Sequence, residues 1–248
     1  MKKLFAITLI ILSLNSCDIL QDFVKEIPVN EETPLTEQEV INGLKQALEI
    51  GSDSAITKVT AKNGFFKDNA IKILLPPEAK VIMDNKDNSA LKAIGITKLI
   101  DDVILRINRA AEDASKSAKP IFVNAIKNMS ITDAFKILNG PDNAATEYFK
   151  KTTSQQLFDA FKPKVKASLD KPLVAGVSTT KAWNKLTTNY NKVAKFTSWQ
   201  TVNTNLNDYV TQKAIDGLFI KLAEKEKNIR KNPVEQVTNL LKRVFGKK

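Results

Sequence analysis

The sequence predicts an all-α fold, and three observations carry that prediction. Apolar residues recur every three to four positions through the longest patterned runs, above all from Thr97 to Ala114 and from Leu206 to Arg230. Capping residues stand before such runs, and glycine or proline stands after them. Glycine is scarce, with 8 in 248 residues, and aromatics make up 7%, a composition unsuited to a β-sandwich or barrel. One stretch has another texture. Ile71-Lys72-Ile73-Leu74-Leu75, closed by Pro76-Pro77, reads as extended, either in a small hairpin near 65–75 or as a buried extended segment. We therefore expect one multi-helix domain over residues 36–246, behind a lipoprotein signal peptide at 1–16 and an acidic tether at 17–35.

Met1-Lys2-Lys3 is a basic start, and Leu4 to Leu12 is an apolar stretch of signal-peptide length, too short to span a bilayer. Leu14-Asn15-Ser16-Cys17 follows and looks like a bacterial lipobox, with Asn15 its mild departure. The likeness implies cleavage before Cys17, a diacylglycerol on its thiol and an acyl group on the new amine. Cys17 is the single cysteine of the chain and stands where a lipobox needs it. The expected location is therefore the cell envelope, with a membrane contact through lipid on Cys17; two or three acyl chains anchor durably where one is marginal. Asp18, Asp22, Glu26, Glu31 and Glu32 then face only Lys25 up to Pro34, with Pro28 between them, as in a flexible charged tether.

The domain opens on Thr36-Glu37-Gln38-Glu39, a capping box, with Leu35 and Val40 placed for a hydrophobic staple. Val40, Ile41, Leu44, Ala47, Leu48, Ala55, Ile56 and Val59 continue at helical spacing to a stop at Asn63-Gly64. Pro77 suits the first position of a helix ending before Gly95. From Thr97 the apolar residues Leu99, Ile100, Val103, Ile104, Ile107, Ala110, Ala111, Ala114 and Ala118 share an arc of about 140°. That is the expected central helix, and its run of alanines admits a close neighbour. Asp102, Arg106, Arg109 and Asp113 lie on the far side at ion-pair spacing.

Short helices follow from Pro120, from the Ser130-Ile131-Thr132-Asp133 cap to Gly140, and from Ala144 to Lys151. Leu157, Phe158, Phe161, Val165 and Leu169 mark another, which Pro163 is expected to interrupt. A helix over 181–194, a loop around Phe196 to Asn203, the long run from Leu206 and a last helix from Val234 to Phe245 complete the domain.

The composition excludes several chemistries. There is no histidine, so Ser-His-Asp and Cys-His catalysis are absent. One cysteine permits neither a disulfide within the chain nor a thiolate zinc site, and no metal or cofactor is implied. Asn108, Arg109 and Glu112 form the most suggestive polar group: an Arg–Glu pair that binds a carboxylate or phosphate, or an ordinary ion pair. Asp133, Glu147, Glu224 and Glu226 are the candidates for two-carboxylate hydrolysis, but no spacing selects a pair. The helix start at Pro141 to Ala144 is either an anion site or a plain turn. The net charge is +11, with ten lysines and two acids between Lys150 and Lys195, Trp183 among them and Trp199 just beyond. Outside the cytoplasm, such a surface suits anionic lipid or another polyanion better than nucleic acid.

Three stretches resemble a bacterial family, the domain of unknown function four-one-nine-seven. They are Asn108 to Glu112; Pro120-Ile121-Phe122 through Asp133 to Gly140 and on to Tyr148-Phe149; and Asp216-Gly217-Leu218-Phe219 through Asn232-Pro233 to Gly246. The resemblance implies a secreted, often lipid-anchored, mostly helical protein and brings no activity with it. The function expected from the whole sequence is a noncatalytic envelope lipoprotein binding an envelope protein partner or an apolar or amphipathic ligand. The alternatives are a histidine-free hydrolase and a basic-surface adaptor.

Overall fold

The computed structural model describes residues 34–84, 96–172, 177–194, 201 and 205–246. Among these residues the fold is all-α and holds no strand; the one β-type pairing is an isolated bridge between Pro172 and Ser178. The helices are α1 (Glu37–Thr60), α2 (Lys80–Asp84), α3 (Ile96–Ser115), α4 (Ala118–Lys127), α5 (Ile131–Leu138), α6 (Ala144–Asp170), α7 (Thr179–Ala194), α8 (Leu206–Lys231) and α9 (Asn239–Phe245). Residues 35–248 form one compact unit by themselves. No helix among the described residues is long and apolar enough to cross a membrane.

The centre lies on α8 rather than on α3. α8 packs against α6, α1 and α3 together, and its residues Val210, Ala214, Leu218 and Leu222 are buried four apart. α6 carries a matching stripe of Phe149, Thr153, Leu157, Phe161, Val165 and Leu169. Residues four apart form a ridge on each helix, and such ridges interdigitate. α3 supplies the expected alanine face: Ala110, Ala111 and Ala114 have no solvent exposure at all.

Local signals set most boundaries. Thr36 accepts the Glu39 N–H while Glu39 reaches back to the Thr36 N–H at 2.8 Å, closing the capping box. Asn63, at φ 71°, turns the chain out of α1. Ser130 Oγ accepts the Asp133 N–H at 3.1 Å and starts α5.

Four boundaries differ from the sequence reading. Ala118 begins α4, because α3 ends at Ser115. The helices expected at 144–151 and 157–169 are one helix of 27 residues, running through Pro163. Thr152, Thr153 and Ser154 turn their hydroxyls back onto the carbonyls of Tyr148, Phe149 and Lys150, so their polar atoms are satisfied within the helix. Pro163 lies on the exposed side, where water replaces the bond it removes. The last helix starts at Asn239, capped by Thr238, and not at Val234. A 3-10 turn at Pro233–Glu235 comes first and leaves Val234 and Val237 exposed. The Pro77 start is a 3-10 turn into the short α2; residues 85–95 lie outside those described, as do 195–200 and 202–204 of the expected loop.

Candidate functional site

Between α1 and α2 the chain crosses the bundle without regular structure, and this strap is where the predicted site residues meet. Phe65, Ile71, Ile73 and Leu75 are buried along it. Up to Lys72 it is a run of hydrogen-bonded turns, and of the two forms expected for Ile71 to Leu75 the hairpin is absent among the described residues. An extended backbone inside a protein needs partners for its N–H and C=O groups. Here side chains of α3 supply them. Asn108 Nδ2 donates to the Ile73 carbonyl at 2.7 Å, and Asn108 Oδ1 accepts the Ile73 N–H at 2.9 Å. The amide thus does what a neighbouring strand would do. Its second N–H goes to the Ile104 carbonyl at 2.7 Å, and the residue has no exposure.

Glu112 and Arg109 extend the bracket. Glu112 Oε1 accepts the Phe65 N–H at 3.3 Å, and its Oε2 meets Arg109 Nη1 at 2.5 Å. Arg109 Nη2 donates to Asn63 Oδ1 at 2.7 Å, across the turn that ends α1. The structure therefore brings Asn108, Arg109 and Glu112 together, and each spends polar atoms on the strap. Arg109 does not pair along the expected strip; Asp113 pairs with Lys116 instead.

α8 holds the other side of the strap. A Cβ on Gly217 would lie 2.5 Å from Phe65 Cε1 and 3.2 Å from Ile71 Cβ, so only glycine lets the strap approach. One turn later the buried Lys221 reaches Asp68 at 2.7 Å and Glu224 at 2.8 Å. Burial works to lower the Lys221 pKa, but hydrogen bonds and charge from Asp68 and Glu224 outweigh it and raise the value. Burial likewise works to raise Asp68, and Lys221, the Ala70 N–H and Lys58 outweigh it, so its carboxyl titrates low.

A second buried pair lies in the last turns of α8. Glu226 Oε1 accepts the Ala145 N–H at 2.9 Å, and Oε2 accepts the Thr146 N–H and hydroxyl at 2.9 Å each. Arg230 donates to Glu226 and to the Ile137 carbonyl at 2.7 Å. Of the two readings left open for Pro141 to Ala144, anion site or plain turn, the N–H groups just beyond it take an anion that is the protein's own carboxylate. Sequence reading named Glu226 but missed Arg230. A signal was there: both continue the four-residue spacing of Leu218 and Leu222 into the buried face. Lys221 had no such signal.

The other hydrolytic candidates have local partners. Asp133 accepts from Ser130, Glu147 pairs with Lys150, and Glu224 pairs with Lys221 and Lys58. Trp183 is 1% exposed, so it is a core residue and not a surface aromatic; Trp199 lies outside the described residues. A cleft lined by Leu44, Leu48, Leu222, Ile229, Phe245 and Arg230 has a volume of about 30 Å³, room for one or two water molecules. Among the described residues no group of three potential metal ligands occurs.

The family model described as "Protein of unknown function (DUF4197)" matches residues 34–246. The chain belongs to that family. No curated protein and no solved structure matches it. The match covers both buried Arg–Glu pairs and the strap, so the bracket described above lies wholly within the DUF4197 domain.

Proposed function

We propose that this DUF4197 chain is a noncatalytic envelope lipoprotein, anchored through Cys17, whose helical domain binds a partner at its surface. The observation that carries the surface reading is the narrowness of the cleft beside α8 among the described residues. That cleft has room for one or two water molecules. The two buried carboxylates, Glu112 and Glu226, are each committed to an arginine and to backbone N–H groups. A general acid or base must be within reach of a substrate proton, and these two face protein on every bonded side. The lone cysteine at the lipobox supports the anchor.

The test replaces Cys17 with Ser and follows membrane fractionation and incorporation of a labelled fatty acid. The wild type is expected to carry the label and sediment with membranes; Cys17→Ser is expected to lose both. An unlabelled wild type with a membrane-bound variant overturns the anchor. Crosslinking of the wild type in intact cells reads the partner: a discrete adduct supports the module, and a chain that stays uncrosslinked opposes it.

A further inference from the structure

The sequence holds three Asn-Gly dipeptides: Asn42-Gly43, Asn63-Gly64 and Asn139-Gly140. A glycine after asparagine has no side chain to shield its backbone nitrogen, which opens the pair to deamidation. In that reaction the glycine nitrogen loses its proton and attacks the carbonyl carbon of the asparagine side chain. The new C–N bond closes a five-membered succinimide ring, and the side-chain nitrogen leaves with the proton as ammonia. Water then adds to one ring carbonyl and breaks its C–N bond, giving aspartate or isoaspartate. Two things must be free for the ring to close. The side-chain amide has to turn onto the backbone, and the glycine N–H has to leave its acceptor. The three sites differ in both.

Asn42 is exposed but sits inside α1, whose ladder occupies the Gly43 N–H. Its Oδ1 accepts from Gln38 at 2.9 Å. Gly43 is also pressed against α9, since a Cβ there would lie 2.8 Å from Val244. Asn63 is half-buried, with its Oδ1 held by Arg109 at 2.7 Å and the Gly64 N–H held by the Ala61 carbonyl at 2.8 Å. Asn139 stands exposed at the C-cap of α5, and its side chain takes no hydrogen bond among the described residues. The Gly140 N–H reaches the Ile137 carbonyl at 3.3 Å, while Arg230 takes the same carbonyl at 2.7 Å. The shorter bond belongs to the arginine, and the glycine N–H is weakly held.

We infer that Asn139 is a deamidation site of the folded protein, and that the fold shields Asn42 and Asn63. Water is the one co-reactant. The product matters because of where it forms. Arg230 holds the carbonyls of Ile137 and Leu138, the two residues before Asn139. Isoaspartate inserts an extra methylene into the backbone directly after them. Aspartate adds negative charge at a helix end that is already negative. Either product disturbs the contact through which Glu226 and Arg230 join α5 to α6 and α8.

The test ages the full chain in mildly alkaline buffer made with heavy-oxygen water, once folded and once in guanidinium. Both samples are digested in acid and read by peptide mass spectrometry. Heavy oxygen enters only where a ring opened during ageing. In the folded protein the Asn139 peptide is expected to take up label about tenfold faster than the Asn42 and Asn63 peptides. In guanidinium the three rates are expected to converge, because the bonds that separate them are gone. Asn139→Gln keeps an amide at this exposed position and is expected to abolish its label while the other two sites are unchanged, since glutamine closes its larger ring far more slowly. Label at Asn42 or Asn63 that matches or outpaces Asn139 in the folded protein overturns the inference. So does a folded chain unlabelled at Asn139 while the unfolded chain takes label at all three sites. A lead that survives undiminished in guanidinium overturns it too, because sequence rather than structure would then set the order. None of these outcomes bears on the anchor at Cys17 or on partner binding.

Discussion

Two buried Arg–Glu pairs use the same chemistry for different tasks. Arg109 and Glu112 sit three apart on α3, and their side chains are 29% and 7% exposed. Arg230 and Glu226 sit four apart on α8, at 11% and 8%. The first pair holds an irregular segment to one helix. The second joins three helices, because Glu226 occupies the first turn of α6 while Arg230 takes the last carbonyls of α5. Helix termini carry partial charges, positive at the start and negative at the end, so each half of the second pair faces a complementary dipole. What such a pair contributes therefore depends on the backbone groups it would abandon if broken. Glu112 would abandon one N–H, and Glu226 would abandon two N–H groups and a hydroxyl.

Breaking the second pair is expected to have the largest effect. Glu226→Ala leaves Arg230 unpaired and the start of α6 unsatisfied, at a cost of about 3–5 kcal/mol. Urea unfolding of residues 35–248 measures it. A loss under about 1 kcal/mol would mean that water reaches the site and that the two pairs are not distinct in kind.

Glu112→Ala is the next largest, at about 2–3 kcal/mol, since a buried N–H loses its acceptor while Arg109 keeps some access to water. Hydrogen exchange should show faster opening confined to residues 61–75. Faster exchange spread evenly over α3, α6 and α8 would contradict the view that this pair serves the strap alone.

How much of this was legible follows from the same two regions. The helices of the bundle were readable because their signals are local: the Thr36 and Ser130 caps, and the four-residue stripe of α8. The Asn108, Arg109 and Glu112 group was readable as a cluster because all three lie within one turn and a half. Its partners were not, because Phe65 and Ile73 are more than 30 positions away and present backbone rather than any side-chain pattern. α6 was misread as two helices because proline and a polar run are local signals too, and tertiary packing of Phe149, Leu157, Phe161 and Val165 overrode them. Val234 and Val237 matched a helical pattern but are exposed, since Thr238 caps α9 later and the intervening chain is a turn.

Packing and polar bracketing of the strap separate in one variant. Gly217→Ala leaves every hydrogen bond in place but sets a methyl 2.5 Å from the Phe65 ring. The expected cost is about 1–2 kcal/mol from overpacking, read as a lower midpoint for heat unfolding. An unchanged midpoint would mean that the strap gives way at Gly217 and that its polar contacts, not this close packing, fix it.

The smallest effect is a pH slope, and it asks whether α8 holds the strap by charge as α3 does. Lys221 keeps its proton more tightly in the folded state than in the unfolded one. Its contribution is therefore complete below the unfolded lysine pKa of about 10.4 and drains away as pH rises through the higher folded value. Asp68 behaves in the opposite sense: its folded carboxyl binds the proton less tightly. Its contribution is complete above the ordinary carboxylate value of about 3.9 and is lost as pH falls through the lower folded value. Between these limits neither group contributes a slope. The stability difference between wild type and Lys221→Met should accordingly be flat from about pH 5 to pH 9 and narrow at both extremes. Lys58 and Glu224 share the cluster, so the Lys221→Met difference includes their rearrangement; repeating the series on an Asp68→Asn background isolates the strap contact. On that background the share of the acid-side narrowing that belongs to Asp68 should be lost, while the alkaline side persists through Glu224. A difference that ignores pH throughout would leave Gly217 packing and the bond from the Tyr209 hydroxyl to the Leu74 carbonyl as the holds that α8 has on the strap among the described residues.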